Sequence, residues 1–201
     1  MQPAQAETAV YVAFEGFRDQ EPSLAGVLIE DEFLQYVCDR IFKPAAAAKM
    51  MPFAEFPDLV AELESRCRAE DRLIIGWSSD ELAALSQVSG AGITDLYHEA
   101  RTTAVRWVTE CHPDEDPRDW QLIELMSLVD YERPPHLGFG KSARRLRAVR
   151  KMIERKGDFE DLTGTVKGQW TKLLQNNEAD CRGLQAVITA ASGDLCADPP
   201  R

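Results

Sequence analysis

The chain has 201 residues and a net charge of −11 at pH 7, and 44% of its residues are hydrophobic. This composition is typical of a folded globular protein and excludes a chain that is disordered throughout. No apolar run approaches the ~20 residues that a bilayer requires, and the first residues lack the basic and apolar blocks of a secretory signal, so we expect a cytoplasmic protein without membrane contacts.

The first elements along the chain are predicted strands. Residues 1–7 are expected to form a flexible lead-in. Residues 8–17, 24–30 and 33–39 are rich in β-branched and aromatic residues, and turn residues such as those at 18–22 separate them, which predicts three strands. Because short turns join the strands, we expect an antiparallel meander.

Helices and one further strand are predicted from Pro44 onwards. Residues 56–69 have apolar side chains at helical spacing, and residues 78–88 and 93–111 also follow the helical period. Between the first two of these helices, the sequence RLIIGW at 72–77 is short and almost wholly apolar. Such segments are typical of strands that are buried in a parallel pairing.

The last part of the chain is predicted to contain two long helices. Residues 113–119 and 131–140 are rich in charged residues and helix breakers, which predicts loops, and residues 122–129 fit either a helix or a strand. The clearest helical periods run over 142–155 and 165–190, where apolar side chains keep to one face. These two helices are expected to pack against the sheet.

The order of these elements predicts an α/β fold. Its mixed sheet combines an antiparallel meander with a parallel strand, and helices flank it. Residues 8–190 are expected to form one domain, between the flexible segments 1–7 and 191–201.

Three acids stand where packing alone does not explain them. Glu15 lies in an apolar strand, where a buried carboxylate is costly unless it is paired, bound to a metal or at the strand's end; alternatively, it faces water. Glu81 follows the apolar strand, where α/β sheets gather their ligand sites, but Ser78 and Glu81 also fit a capping box, which the local sequence favours. Asp180 lies at the border of an apolar helix stripe, a place that also suits an ordinary surface acid.

The order and spacing of these acids resemble a known superfamily. The stretches that carry the likeness are YVAFEG at 11–16, LIIGWSSDEL at 73–82 and LLQNNEADCRGL at 173–184. Together they are similar to the ribonuclease H-like 3′–5′ exonucleases with Asp-Glu-Asp-Asp active sites, and most of all to the predicted nucleases of the RecB-associated ribonuclease H-like branch.

The resemblance implies a ribonuclease H-like fold and a two-metal site. Glu15, Glu81 and Asp180 match the catalytic, metal-binding acids of the family, in which Mg²⁺ or Mn²⁺ activates water and stabilises the leaving oxygen. Two positions depart from the pattern: Ala13 replaces the first acid, and Asn176 replaces the tyrosine that orients the water. The departures imply slow catalysis, recruitment of Asp80 or Asp130, or lost catalysis.

The segment at 141–156 is strongly basic. Its eight basic residues and one acid give a net charge of +7, so the rest of the chain carries −11 − 7 = −18. Arg144, Arg147 and Lys151 return to nearly the same helix angle, which predicts contacts with a phosphate backbone. The alternative is a solvated basic face that balances the acidic body, and the acidic remainder offers a surface for a protein partner or simply keeps the chain soluble.

The sequence therefore predicts a metal-dependent nuclease-like protein. Its substrate would be a DNA or RNA 3′ end, preferably single-stranded. The alternative is a catalytically degenerate ribonuclease H-like module that binds nucleic acid or protein. A third hypothesis is a regulatory α/β protein whose acids only cap helices and face solvent.

Overall fold

A five-stranded mixed sheet forms the centre of the protein in a computed structural model, which describes residues 1–17, 20–89, 95–115, 120–138 and 140–197. The strands are β1 (Val10–Glu15), β2 (Leu24–Ile29), β3 (Glu32–Val37), β4 (Ile74–Gly76) and β5 (Tyr97–Glu99). Their order across the sheet is β3-β2-β1-β4-β5. Strands β1 to β3 are antiparallel neighbours, whereas β1, β4 and β5 run parallel. The predicted α/β plan, with a meander and a parallel strand, is confirmed.

Eight α-helices surround the sheet in the described ranges, together with 3₁₀ turns at Arg40–Phe42 and Pro135–Leu137. The helices are α1 (Pro3–Thr8), α2 (Lys43–Ala47), α3 (Phe56–Glu70), α4 (Ser79–Val88), α5 (Ala100–Cys111), α6 (Leu122–Leu128), α7 (Ser142–Lys156) and α8 (Gly164–Cys196). Although α8 has 33 residues, none of the helices in these ranges carries a stretch apolar enough to cross a bilayer.

The sheet is covered on both faces. Val10 and Val12 of β1 pack with Leu59 and Leu63 of α3 on one side. The intervening Tyr11 lies on the other side, in a cluster with residues of α8 that include Leu184. Because both faces of β1 are covered, its sequence is apolar at nearly every position.

The structure corrects several local predictions. Residues 1–7, expected to be flexible, include α1, whose Ala6 is buried in the cluster beneath α8. Residues 97–99, predicted as part of a helix, form β5 instead, because they pair with the buried strand β4. The last helix extends beyond 190 to Cys196, into the segment expected to be a flexible tail.

The structure resolves one ambiguous prediction and describes only parts of two predicted connecting segments. The ambiguous segment at 122–129 forms α6. The predicted turn at 18–22 and loop at 113–119 extend over residues 18–19 and 116–119, which lie outside the described ranges, as do residues 90–94, 139 and 198–201.

Candidate functional site

Helix α8 is fixed against β1 by a side chain on its inner face. Asn177 is fully buried; its Nδ2 donates to the Ala13 carbonyl oxygen at 2.8 Å, and its Oδ1 accepts from Gln35 Nε2 at 2.8 Å. A Cβ at Gly26 on β2 would collide with this Asn177 side chain, so the glycine permits the close approach of α8 to the sheet. The neighbouring turn of α8 is thereby held beside the end of β1.

Glu15 is the last residue of β1 and shares the strand face of Tyr11 and Ala13, the face that α8 covers. Its Oε1 accepts a hydrogen bond from Asn176 Nδ2 at 3.1 Å. Burial raises the pKa of Glu15 to about 7; hydrogen bonds from the side chains of Ser142 and Asn176 oppose this shift. Glu15 is therefore partly buried on the face that α8 covers and is held by hydrogen bonds.

Asp180 lies one helical turn beyond Asn176 and belongs to the same hydrogen-bond network. Asn176 Nδ2 donates to Asp180 Oδ2 at 2.7 Å, and Arg133 Nε donates to Asp180 Oδ1 at 3.3 Å. Burial raises the pKa of Asp180 to about 6, whereas the charge of Arg133 and its hydrogen bond lower it. Both carboxylate oxygens of Asp180 therefore have a protein donor.

Glu81 is held at the start of α4. Its Oε2 accepts from the Ser78 amide at 3.0 Å, and Ser78 Oγ caps the Asp80 amide, so the predicted capping box is confirmed. A Cβ at Gly76 would lie only 2.8 Å from the Glu81 Cβ, which shows how closely the carboxyl end of β4 approaches this side chain. Glu81 thus caps its own helix and also lies at the end of the parallel strand.

Several of the side chains described above line one cavity of about 330 Å³. Glu15, Glu81 and Asp180 all line it. The other lining residues are Val12, Ala13, Phe14, Trp77, Gln121, Leu122, Ile123, Arg133, Gly140, Ser142, Asn176 and Leu184. We call this space the acidic cavity. Ala13 and Asn176, the two positions that depart from the family pattern, both line it, whereas Asp80 and Asp130 do not.

In the acidic cavity, protein donors hold the acids that the resemblance assigns to a two-metal centre. Carboxylate oxygens are the ligands that Mg²⁺ and Mn²⁺ prefer. However, no three His, Cys, Asp or Glu side chains within the described ranges are grouped so that they could hold a metal ion. Each of the three acids already accepts hydrogen bonds from the protein, and a guanidinium lies against Asp180. The residues present therefore balance the acids with protein donors.

The basic helix α7 begins beside the acidic cavity, because its first residue, Ser142, lines that space. Arg144, Arg147 and Lys151 are exposed along the helix. In the described part of the chain, none of these three forms an ion pair; Arg147 Nε donates to the carbonyl oxygen of Ala143 at 3.2 Å. The predicted basic face is therefore accessible, on the side of α7 opposite its buried stripe.

Two arginines were not predicted as part of the site. Arg133 comes from the predicted loop at 131–140, where no periodicity marks a residue that reaches the core. Arg145 is 5% exposed and donates to the Leu137 carbonyl oxygen, while its Nη1 has no partner among the described residues. A signal for Arg145 did exist, since it lies four residues before the buried Val149 on the inner stripe of α7.

The chain matches no protein-family model, no curated protein and no solved structure.

Proposed function

We propose that this protein is a catalytically degenerate ribonuclease H-like module that binds the end of a single nucleic acid strand. The observation that carries the proposal is the position of α7, whose first residue lines the acidic cavity and whose exposed arginines and lysine extend from it. At ~100° per residue these three side chains lie on the side of α7 opposite Ser142, so a strand that contacts them would pass around the start of α7 to bring its end to the cavity.

The fold agrees with the arrangement that the resemblance implies. A three-stranded meander, the parallel strand β4 and a long final helix across the sheet follow in the expected order. The acids from β1, from the segment after β4 and from the last helix also keep the expected order along the chain. These agreements support a ribonuclease H-like assignment.

The size and lining of the acidic cavity suit the end of a strand. Its volume of about 330 Å³ is at the lower end of the ~300–1,000 Å³ typical of ligand pockets, which suits one terminal nucleotide. Trp77 and Leu122 line it together with the polar Asn176 and Ser142. Aromatic and apolar side chains stack bases without sequence preference.

Three observations favour binding without hydrolysis. Ala13 supplies no carboxylate at the first-motif position, and Arg133 donates to Asp180. Glu81 is engaged in the cap of α4. Positively charged groups outside the cavity are enough for electrostatic attachment of a phosphate backbone, which needs no metal.

A second candidate function is metal-dependent hydrolysis of phosphodiester bonds from a 3′ end. The observation that favours it is that Glu15, Glu81 and Asp180 line one cavity. In this candidate, Mg²⁺ or Mn²⁺ would have to replace the protein donors that now hold the acids. The two candidates differ in whether a bound strand is shortened.

Fluorescence anisotropy with a 5′-labelled single-stranded oligonucleotide, as DNA and as RNA, tests the proposal. We expect binding that weakens with salt, and weaker binding of a circular strand of the same sequence. The triple variant Arg144→Ala, Arg147→Ala, Lys151→Ala should flatten the salt dependence by about 0.7 log units per lost phosphate contact. The matched control removes the exposed Lys49, Arg66 and Arg106 from other elements and should retain the wild-type slope.

The same oligonucleotides decide between the two candidates. Incubation with Mg²⁺ or Mn²⁺ and separation on a denaturing gel should leave the strand intact if the protein only binds. Shortening from the 3′ end that Asp180→Asn abolishes would establish hydrolysis instead. Equal slopes for the triple variant and its charge-matched control would reject α7 as the contact surface.

A further inference from the structure

Arg133 places a fixed positive charge inside the acidic cavity. Its side chain is only 9% exposed, although it comes from the segment between α6 and the 3₁₀ turn. Nε donates to Asp180 Oδ1 at 3.3 Å, Nη1 donates to the Gly138 carbonyl oxygen at 3.1 Å, and Nη2 donates to Asn176 Oδ1. All three nitrogens of the guanidinium are therefore engaged, which holds it in one orientation.

The Arg133 guanidinium lies among the oxygen-bearing side chains of the acidic cavity. Asp180 and Asn176 are the two side chains of α8 that line the cavity with oxygen atoms, and Arg133 hydrogen-bonds to an oxygen of each. Glu15 and Glu81 line the same cavity and add negative charge. These carboxylates are partly buried, and a nearby cation or hydrogen bonds stabilise such a cluster against its own repulsion.

A second guanidinium, that of Arg145, interacts with Glu15 and Arg133 through its charge. Arg145 is buried at the start of α7. The two arginines thus supply two permanent positive charges close to the acids, because arginine stays protonated in proteins. Divalent ions would supply the same kind of compensation in a metal-bound site.

We propose that the Arg133 guanidinium is the resident cation of the acidic cavity and that it excludes a divalent metal ion from Asp180 and Asn176. A metal ion at these oxygens would have to displace the arginine's hydrogen bonds and would meet like-charge repulsion at short range. Fork-shaped donors fit a carboxylate better than a point charge does. This inference goes beyond the proposed function, since it concerns metal binding by the protein without nucleic acid and holds whether or not a nucleic acid binds.

Binding of Mn²⁺ to the protein, measured without nucleic acid, tests this inference. The paramagnetic resonance signal of free Mn²⁺ reports the bound fraction directly. Wild type should show only weak Mn²⁺ binding that depends on Asp180. Arg133→Met removes the charge and keeps an unbranched chain of similar length, and it should tighten Mn²⁺ binding by at least about ten-fold, because a repulsive unit charge has been removed at short range. Adding Asp180→Asn to this variant should abolish the gain.

The matched control is Arg182→Met, which removes the guanidinium of an ion pair with Glu178 on the same helix and outside the acidic cavity. This variant should bind Mn²⁺ as wild type does. Arg133→Lys keeps a charge at the site and should also show no gain. Equal gains for Arg133→Met and Arg182→Met would overturn the inference, because they would reflect net charge alone.

Arg133→Gln provides a second neutral variant in case the methionine variant does not fold, since an amide can still hydrogen-bond to Asn176. A folded neutral variant that binds Mn²⁺ no tighter than wild type would overturn the inference. If neither variant folds, wild type decides: micromolar Mn²⁺ binding that Asp180→Asn removes would overturn it, and the absence of such binding would support it.

Discussion

The side chains of Asn176 and Glu15 join two parts of the chain that are 161 residues apart. Asn176 Nδ2 on α8 donates to Glu15 Oε1 at the end of β1 over 3.1 Å, and the same nitrogen donates to Asp180. The amide therefore lies between two carboxylates that would otherwise repel each other. Asn176 thus holds Glu15 and Asp180, two of the acids of the cavity, through one amide group.

Replacing Asn176 should reduce stability. The side chain is 5% exposed, and Asn176→Ala would remove a donor to two carboxylates and an acceptor from Arg133. We expect a loss of about 1–3 kcal/mol in the free energy of unfolding, because buried polar groups would lose their partners. Urea denaturation followed by circular dichroism measures this loss. The neighbouring Gln175 is exposed, and Gln175→Ala should cost far less; similar losses for the two variants would contradict the bridging role.

Glu15 should make the protein less stable as pH rises. The folded protein retains the proton of Glu15 up to a pKa of about 7, whereas the ordinary value is 4.5. Because the folded state binds the proton more tightly, the free energy of unfolding falls as pH rises through this window. The variant Glu15→Gln has no titrating carboxyl group at this position. Between pH 4 and pH 8, the free energy of unfolding of the variant minus that of wild type should therefore rise by on the order of 2–3 kcal/mol. Urea denaturation at several pH values measures the difference, and parallel pH curves for the two proteins would contradict the assignment.

Gly26 should be essential to the approach of α8. A Cβ at this position would collide with Asn177, so we expect Gly26→Ala to destabilise the protein by about 1–3 kcal/mol through overpacking. Gly168 within α8 has nothing within 4 Å of its Cβ position, and Gly168→Ala should stabilise by up to about 1 kcal/mol because alanine favours a helix. Thermal unfolding of both variants measures the contrast; equal effects would show that α8 does not lie this close to β2.

Ser78 should stabilise the start of α4. Its hydroxyl accepts from the Asp80 amide and interacts with Glu81. Ser78→Ala should therefore cost about 1 kcal/mol, which is typical of a lost N-cap. The adjacent Ser79 is exposed at the first helical position, and Ser79→Ala should change stability by less than about 0.5 kcal/mol. Chemical denaturation compares the two variants, and a larger effect at Ser79 would contradict the cap.

Local sequence was enough to predict the elements that depend on near neighbours. The meander follows from β-branched runs between turns, and the Ser78–Glu81 box follows from hydrogen bonds within one helical turn. The helical periods of α7 and α8 likewise predicted which faces of these helices are buried, because periodicity is a pattern of near neighbours. In contrast, β5 has three residues inside a helical period, and it is a strand because β4 pairs with it. Helix α1 likewise forms where the chain docks beneath α8.

For the acidic cavity, too, the sequence predicted some features and the tertiary structure decided the others. The sequence by itself identified Glu15, Glu81 and Asp180 as candidates, through the apolar strands that carry or precede the two glutamates and through their order along the chain. It could not determine which face Glu15 takes, because β1 is covered on both sides and its polarity does not mark a wet face. Only the tertiary structure brings Arg133 from a loop without periodicity onto Asp180 and Asn176, and places the start of α7 at the cavity. The contacts of Arg133 join residues 43 and 47 positions apart, so their geometry is set by the packing of α8 against the sheet and not by any local preference of the chain.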